Sequence, residues 1–265
     1  MPLETKSRPR TAFARKLDLP PPFHLVTLRE VGDAFAHAVA VAADEGAGTL
    51  VHVGRFDLAE FAVVLEPEEP LRTARRAIYT GACALGDALA ANAPPEKSIS
   101  FAWPDAIRVD GGLVGGVRLA WPAGTDEDEP PAWLAFGAMI RIVAMGEGEA
   151  GLRPLAAALE DEGFSDLDGG RLVESFARHL MAAVDICQEK GFGEVAKNYL
   201  SRLAAGRVEP GKAEREPAPN AVRYVLDEQG DLLVRHAGTR VERHSLVEAL
   251  AVPSWLDPVT GGPRR

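Results

Sequence analysis

The chain has 265 residues, of which 46% are hydrophobic and 26% charged, and a formal net charge of −10, which suits one main globular domain with a small appendage. The acidic balance argues against nonspecific nucleic-acid binding, which needs clustered Lys and Arg to displace phosphate counterions, and no apolar run reaches the ~20 residues of a membrane-spanning helix. Two cysteines, Cys83 and Cys187, without CxxC or Cys/His spacing indicate neither a disulfide framework nor a zinc site, and buried free thiols are expected.

Residues 1–22 are basic through Lys6, Arg8, Arg10, Arg15 and Lys16. They carry no apolar stretch of the secretory kind, so a disordered tail and a cytoplasmic protein are expected. Val31, Phe35, Val39 and Ala42 recur at helical spacing and predict a helix from Arg29 to Ala43. Thr49–Val53 and Glu60–Leu65 are β-prone runs joined by Gly54-Arg55-Phe56-Asp57, a hairpin-like spacing.

Residues 70–91 carry Leu71, Ala74, Ile78, Ala82, Leu85 and Leu89 on one stripe. They predict a long amphipathic helix packed on the sheet and stopped by Pro94-Pro95. Three strands are expected at 98–103, 107–110 and 113–121, then an exposed acidic loop. Between Trp133 and Val143 the even positions Leu134, Phe136, Ala138, Ile140 and Ile142 are all apolar. Period-two alternation buries that face and leaves Ala135, Gly137, Met139 and Arg141 toward a cleft or solvent.

Helices are expected across 154–203, where Leu172, Phe176, Leu180, Val184 and Cys187 form a stripe. Residues 206–219 are charged and contain prolines, which marks a linker between a domain over 23–205 and a β-module over 220–265. In that module Val222, Tyr224 and Leu226 alternate with polar residues, and Ser245 to Glu248 fits a capping box. The last residues, from Pro253 on, show too little pattern to assign.

The stretch 101–122, FAWPDAIRVDGGLVGGVRLAWP, carries the most specific signal. With the order of elements around it, it resembles the catalytic domain of biotin and lipoate protein ligases, over roughly Phe23 to Leu250. The resemblance implies an α+β fold, a mixed sheet packed by helices, with a small C-terminal β-module. In that family a strand ends in Trp-Pro-Asn-Asp and leads through a turn to a Lys-x-x-Gly strand. Trp103-Pro104-Asp105 resembles the first part, and Gly115-Gly116 resembles the glycine that lets a ligand approach the backbone. The later strand is similar to the family's Gly-x-Gly-Ile-Asn, with Gly137 and Ile140 retained and Arg141 at the Asn position.

The resemblance implies two steps. A small carboxylic acid (biotin, lipoate or octanoate) attacks the α-phosphate of ATP with Mg present, and a lysine on an acceptor carrier domain then takes the acyl group. The first step joins two anions and needs cations aimed at the developing charge. The family's lysine is missing: its position is Leu113, or Gly112 if one residue is deleted after Trp-Pro, and the gapless register also puts Ala106 where the family has Asp. The family's Gly-Arg-Gly-x-x-Gly loop is shortened to Gly54-Arg55-Phe56-Asp57-Leu58.

Arg141 and Arg55 are the candidates to supply the cation. Gly54, Trp103, Pro104, Asp105, Gly112, Gly115, Gly116, Arg118 and Gly137 are the candidate ligand-binding residues, and no metal ligands are assigned. The alternative for each arginine is a solvated side chain on a strand surface, and for Trp103 a core anchor. His52, near Arg55, lacks any accompanying nucleophile motif and reads as structural. Two functions stay open: a divergent ligase, or a ligand-binding or accessory protein on the ligase fold. A DNA-binding repressor is not expected, because the segment before the domain is too short for a helix-turn-helix module.

Overall fold

A computed structural model describes residues 16–30, 32–145, 156–204, 222–236 and 240–264. In chain order the elements are β1 (His24–Leu28), α1 (Ala34–Glu45), β2 (Thr49–Val53), β3 (Leu58–Leu65), α2 (Leu71–Ala74), α3 (Ala77–Asn92), β4 (Ile99–Ala102), β5 (Ala106–Val109), β6 (Gly112–Ala120), β7 (Leu134–Arg141), α4 (Gly169–Lys190), α5 (Phe192–Ser201), β8 (Arg223–Leu226), β9 (Leu232–Arg235), β10 (Val241–His244) and α6 (Leu246–Leu250). Seven strands form one sheet in the order β1-β2-β3-β7-β6-β5-β4, and β10-β9-β8 form a second. Among the strands of the described residues β1 and β2 are the one parallel pair, and α1 supplies the crossover that parallel neighbours require. The expected α+β architecture, a mixed sheet with helices and a small C-terminal β-module, is what the chain adopts.

Alternation along β3 and β7 sends side chains to two different layers. Phe61, Val63, Phe136, Ala138 and Ile140 face the helical layer, where Phe176 of α4 stacks on Phe136 at 5.7 Å and lies 4.7 Å from Phe61. Val51, Val53, Ala62, Val64 and Ala135 face the other way, against Ala34, Ala38 and Ala42 of α1. That alanine stripe lets α1 lie close to the sheet.

Here the odd face of β7 departs from expectation. It is covered rather than open: Ala135 packs under α1, a methyl on Gly137 would overlap the Phe35 ring, and Met139 joins a buried cluster with Trp255. Both faces of the central strands are therefore dry, and alternation distinguishes two packed layers, not inside from outside.

The expected single long helix is two, broken at Arg75 and Arg76, and α3 is not amphipathic. Its residues from Ile78 to Gly86 are all buried, because α4 and α5 cover the side turned away from the sheet. Cys83 lies in this layer, where burial pushes its thiol up to about 12, and Cys187 is half-buried.

Of the basic tail expected over 1–22, residues 1–15 lie outside the described residues, as does the linker over 206–219. The described remainder is anchored: Leu17 is buried in the main core, and the Asp18 amide donates to Glu174 at 2.6 Å. Val31 is also outside the described residues, and α1 starts at an Asp33 cap that accepts from the Ala36 amide at 2.9 Å. The β4 edge is closed by the chain after α5, where the Phe101 amide donates to the Arg202 carbonyl at 2.8 Å and Phe101 bridges to Leu203. Ser245 caps α6 as its capping-box spacing predicts, accepting from the Glu248 amide at 3.4 Å. The segment from Pro253 on folds into a closed turn bridged between Leu256 and Pro263, with Trp255 fully buried.

Gly81 of α3 faces the ring of Phe136, which is 1% exposed and cannot move aside. Replacing glycine by alanine inside a helix gains about 1 kcal/mol in propensity, whereas overpacking a core costs about 1–3 kcal/mol. Gly81→Ala is expected to be destabilising by up to about 2 kcal/mol net, measured by urea unfolding. An unchanged or increased midpoint would show that the ring has room.

Candidate functional site

The outer face of the sheet, on the α1 side, carries three rows of facing residues. Register places Leu58 opposite Arg141, then Glu60 opposite Met139, Gly116 and Ala106, then Ala62 opposite Gly137 and Arg118. Several of the sequence candidates gather along these rows into two neighbouring groups.

The first group lies at the start of α1. Glu60, 3% exposed, accepts from the Ala34 amide at 3.0 Å. Arg55 donates two hydrogen bonds to Asp57, each 2.8 Å, and its guanidinium is 3.6 Å from Glu60. Arg118 lies 4.4 Å over the Phe35 ring and 3.5 Å from Asp33, and its Nε is buried without a hydrogen-bond partner among the described residues.

Burial raises the Glu60 carboxyl above its ordinary value, reinforced by Asp33 and opposed by the Ala34 amide, Arg55 and Arg118. Burial likewise lowers the Arg118 guanidinium, against the pull of Asp33 and Glu60. Asp33, Asp57 and Glu60 outnumber Arg55 and Arg118 here, so a carboxylate ligand would meet net negative charge. Gly54 sits in the adjoining turn, donating to the Leu28 carbonyl at 3.1 Å.

The second group lies where β5, β6 and β7 meet the C-terminal segment. Asp105, 2% exposed, accepts from the Ser254 amide at 3.0 Å and its hydroxyl at 2.5 Å. Burial raises the Asp105 carboxyl despite those donors. Arg141 donates to the carbonyls of Leu113 at 3.5 Å, Ala157 at 3.1 Å, Pro263 at 2.7 Å and Arg264 at 3.1 Å.

Gly115 and Gly116 each allow a close approach. A side chain on Gly115 would overlap the Met139 carbonyl, and one on Gly116 would overlap Trp255 and the Asp105 carbonyl. The Trp255 indole donates to the Val117 carbonyl at 3.0 Å and shares a cluster with Leu58, Ala106, Leu113 and Met139. Gly112 packs against Ala157 at the start of β6.

Two members of the Trp-Pro-Asp motif belong to neither group. The Trp103 indole donates to the Tyr79 hydroxyl at 2.8 Å, which donates to the Gly230 carbonyl at 2.6 Å. The Pro104 carbonyl accepts from the Tyr199 hydroxyl at 3.0 Å, and the Trp103-Pro104 bond is cis. His52 lies on the opposite face, in register with Phe61. Burial lowers its imidazole, opposed by Asp168, and its Nε2 has no hydrogen-bond partner among the described residues.

Sequence reasoning missed Glu60, Phe35, Ser254 and Trp255. A lone glutamate inside the apolar run of β3 was a visible signal. The terminal Ser-Trp had none beyond its composition. Among the described residues no group of three or more His, Cys, Asp or Glu side chains is placed to hold a metal ion, and no helix is long and apolar enough to cross a membrane.

The sequence profile of the biotin/lipoate A/B protein ligase family matches residues 19–201. Among solved structures, the chain is similar to a biotin protein ligase-like protein of unknown function from Silicibacter sp. TM1040, at 28% identity over 88% of this chain and 99% of that one, with a TM-score of 0.73. It also resembles the biotin protein ligase of Aquifex aeolicus, at 17% identity over 84% of this chain and 96% of that one, with a TM-score of 0.63. The same ligase in complex with biotin and ATP gives 18% identity over 83% and 94% of the two chains, with a TM-score of 0.58. The two Aquifex likenesses are of fold alone. No functionally curated protein matches the chain.

A carboxyl whose folded value is raised holds its proton more tightly when folded. Its stabilising contribution is present below the ordinary value, 4.5 for Glu60, and is lost as pH rises through the raised one. Glu60→Gln keeps the acceptor for the Ala34 amide and removes that loss. The stability difference between variant and wild type, from urea midpoints, should move in the variant's favour as pH is raised past 4.5. A difference flat with pH would show that Glu60 ionises at its ordinary value.

Proposed function

The chain belongs to the biotin/lipoate A/B protein ligase family, and from that premise we propose that it activates a small carboxylic acid of the biotin, lipoate or octanoate type with ATP. A carboxylate oxygen of the acid bonds to the α-phosphorus, the bond to the β-phosphate oxygen breaks, and pyrophosphate leaves. A lysine amine on a carrier protein then attacks the acyl carbon, and AMP leaves. Magnesium would enter on the nucleotide, since it is held largely by phosphate oxygens and water.

One observation carries the reading. The Arg141 guanidinium is 3.5 Å from the carbonyl of Leu113, which in the gapless register, the alternative being Gly112, stands where the family has its lysine. A guanidinium there binds carboxylate and phosphate oxygens through a planar fork of donors. Arg55 is a weaker candidate, because Asp57 and Glu60 already neutralise it. Asp105 and Gly116 would line the same face.

A second reading, an acid-binding accessory protein without adenylation, is favoured by the shortness of the β2–β3 turn. There the Arg55 amide already donates back to Val53 at 2.9 Å, leaving little chain to fold over an intermediate.

Adenylate formation should be measured as acid-dependent pyrophosphate release with biotin, lipoate and octanoate in turn. Arg141→Ala is expected to lower it by about 10²–10³-fold, with Arg141→Lys retaining part, as for other donors aimed at developing charge. Acid binding by the wild type without pyrophosphate release would establish the accessory reading. Pyrophosphate release unaffected by Arg141→Ala would remove Arg141 from the chemistry.

A further inference from the structure

Residues 253–264 close on themselves before they touch the sheet. Within the segment the Arg264 amide donates to the Trp255 carbonyl at 2.8 Å, Asp257 to Gly262 at 2.9 Å, and Gly261 to Asp257 at 2.9 Å. Those bonds travel with the segment if it moves. Three ties fasten it to the sheet: Ser254 on Asp105, the Trp255 indole on Val117 and over Gly116, and the carbonyls of Pro263 and Arg264 on Arg141. It joins α6 through a short exposed link, in which Val252 is 73% accessible.

We propose that this segment is a displaceable occupant of the ligand face, which shields Asp105, the backbone at Gly116 and Val117, and Arg141 until a ligand takes its place. Each tie is of a kind a small ligand makes. Two donors satisfy a buried carboxylate. A flat ring with an N–H donor fills a slot walled by Leu58, Ala106, Leu113 and Met139. Oxygens sit on a guanidinium.

The segment and a ligand meet most directly at Arg141. Arg141 donates to the main-chain carbonyls of Pro263 and Arg264, and a guanidinium fork donates to carboxylate and phosphate oxygens in the same way. An acid or nucleotide therefore competes with the segment for the Arg141 donors and is at a disadvantage at the Trp255 slot. The apparent affinity of the closed chain is reduced by the fraction of time that the segment is away. This inference rests on the proposed function in one respect, that the covered face takes the acid, and a peptide probe tests the remainder without it.

In the full chain, Trp255→Ala removes the anchor. A synthetic peptide of residues 252–264, followed by isothermal titration, is expected to bind this variant and not the wild type. Biotin, lipoate or octanoate with Mg-ATP is expected to bind the variant about tenfold more tightly than the wild type. The proposal is overturned if the peptide binds the variant no better than a control peptide carrying Trp255→Ala. It is equally overturned if the wild type binds acid and Mg-ATP as tightly as the variant.

Should Trp255→Ala fail to fold, Ser254→Ala in the full chain removes the hydroxyl tie and is expected to tighten acid binding about threefold; unchanged affinity overturns the proposal. Peptide binding with no acid bound by either chain would leave the displaceable segment standing and overturn the proposed function instead.

Discussion

The hydrogen bond from the Trp103 indole to the Tyr79 hydroxyl, passed on to the Gly230 carbonyl, ties the sheet edge, the helical layer and the C-terminal module together. The next residue holds α5 through the Tyr199 hydroxyl, and the one after it holds the C-terminal segment through Ser254. Three consecutive residues thus fasten three separate parts of the chain to one strand end. Each bond is worth only about 1 kcal/mol net, but an abandoned buried partner costs about 1–3 kcal/mol. Losing any one of them therefore costs more than the bond itself.

The same motif divides the scaffold from the outer face of the sheet. Trp103 and Pro104 face the scaffold, and only Asp105 turns toward the outer face. Of the three arginines near that face, Arg55 and Arg118 sit among Asp33, Asp57 and Glu60, so their charge is spent locally. Arg141 lies one row away, where its guanidinium donates to the main-chain carbonyls of Leu113, Ala157, Pro263 and Arg264. Electrostatics separates arginines that look alike along the chain.

Much of the architecture was legible in the sequence because short-range patterns encode it. Thr49–Val53 was read with its observed bounds, and the strands around Asp110 and Gly111 were placed within a residue or two. Patterns of that kind say which faces are apolar but not what lies against them. The alternation in β7 therefore predicts core against cleft or solvent where both faces are packed, and the stripe in α3 predicts an amphipathic helix where two further helices enclose it. The pairing of Arg55 with Asp57 depends on the turn conformation. The arrival of Ser254 at Asp105 spans 149 residues, and no local period records such a distance.

The two edges of the main sheet are not alike. The chain following α5 pairs with Phe101 and closes off β4, whereas among the described residues β1 pairs on one side only, with β2. Any strand addition, whether self-association or the start of aggregation, would therefore enter along His24–Leu28. This edge is three strands away from β7 and Arg141, so a complex formed through it would leave the packing on the outer face as it is.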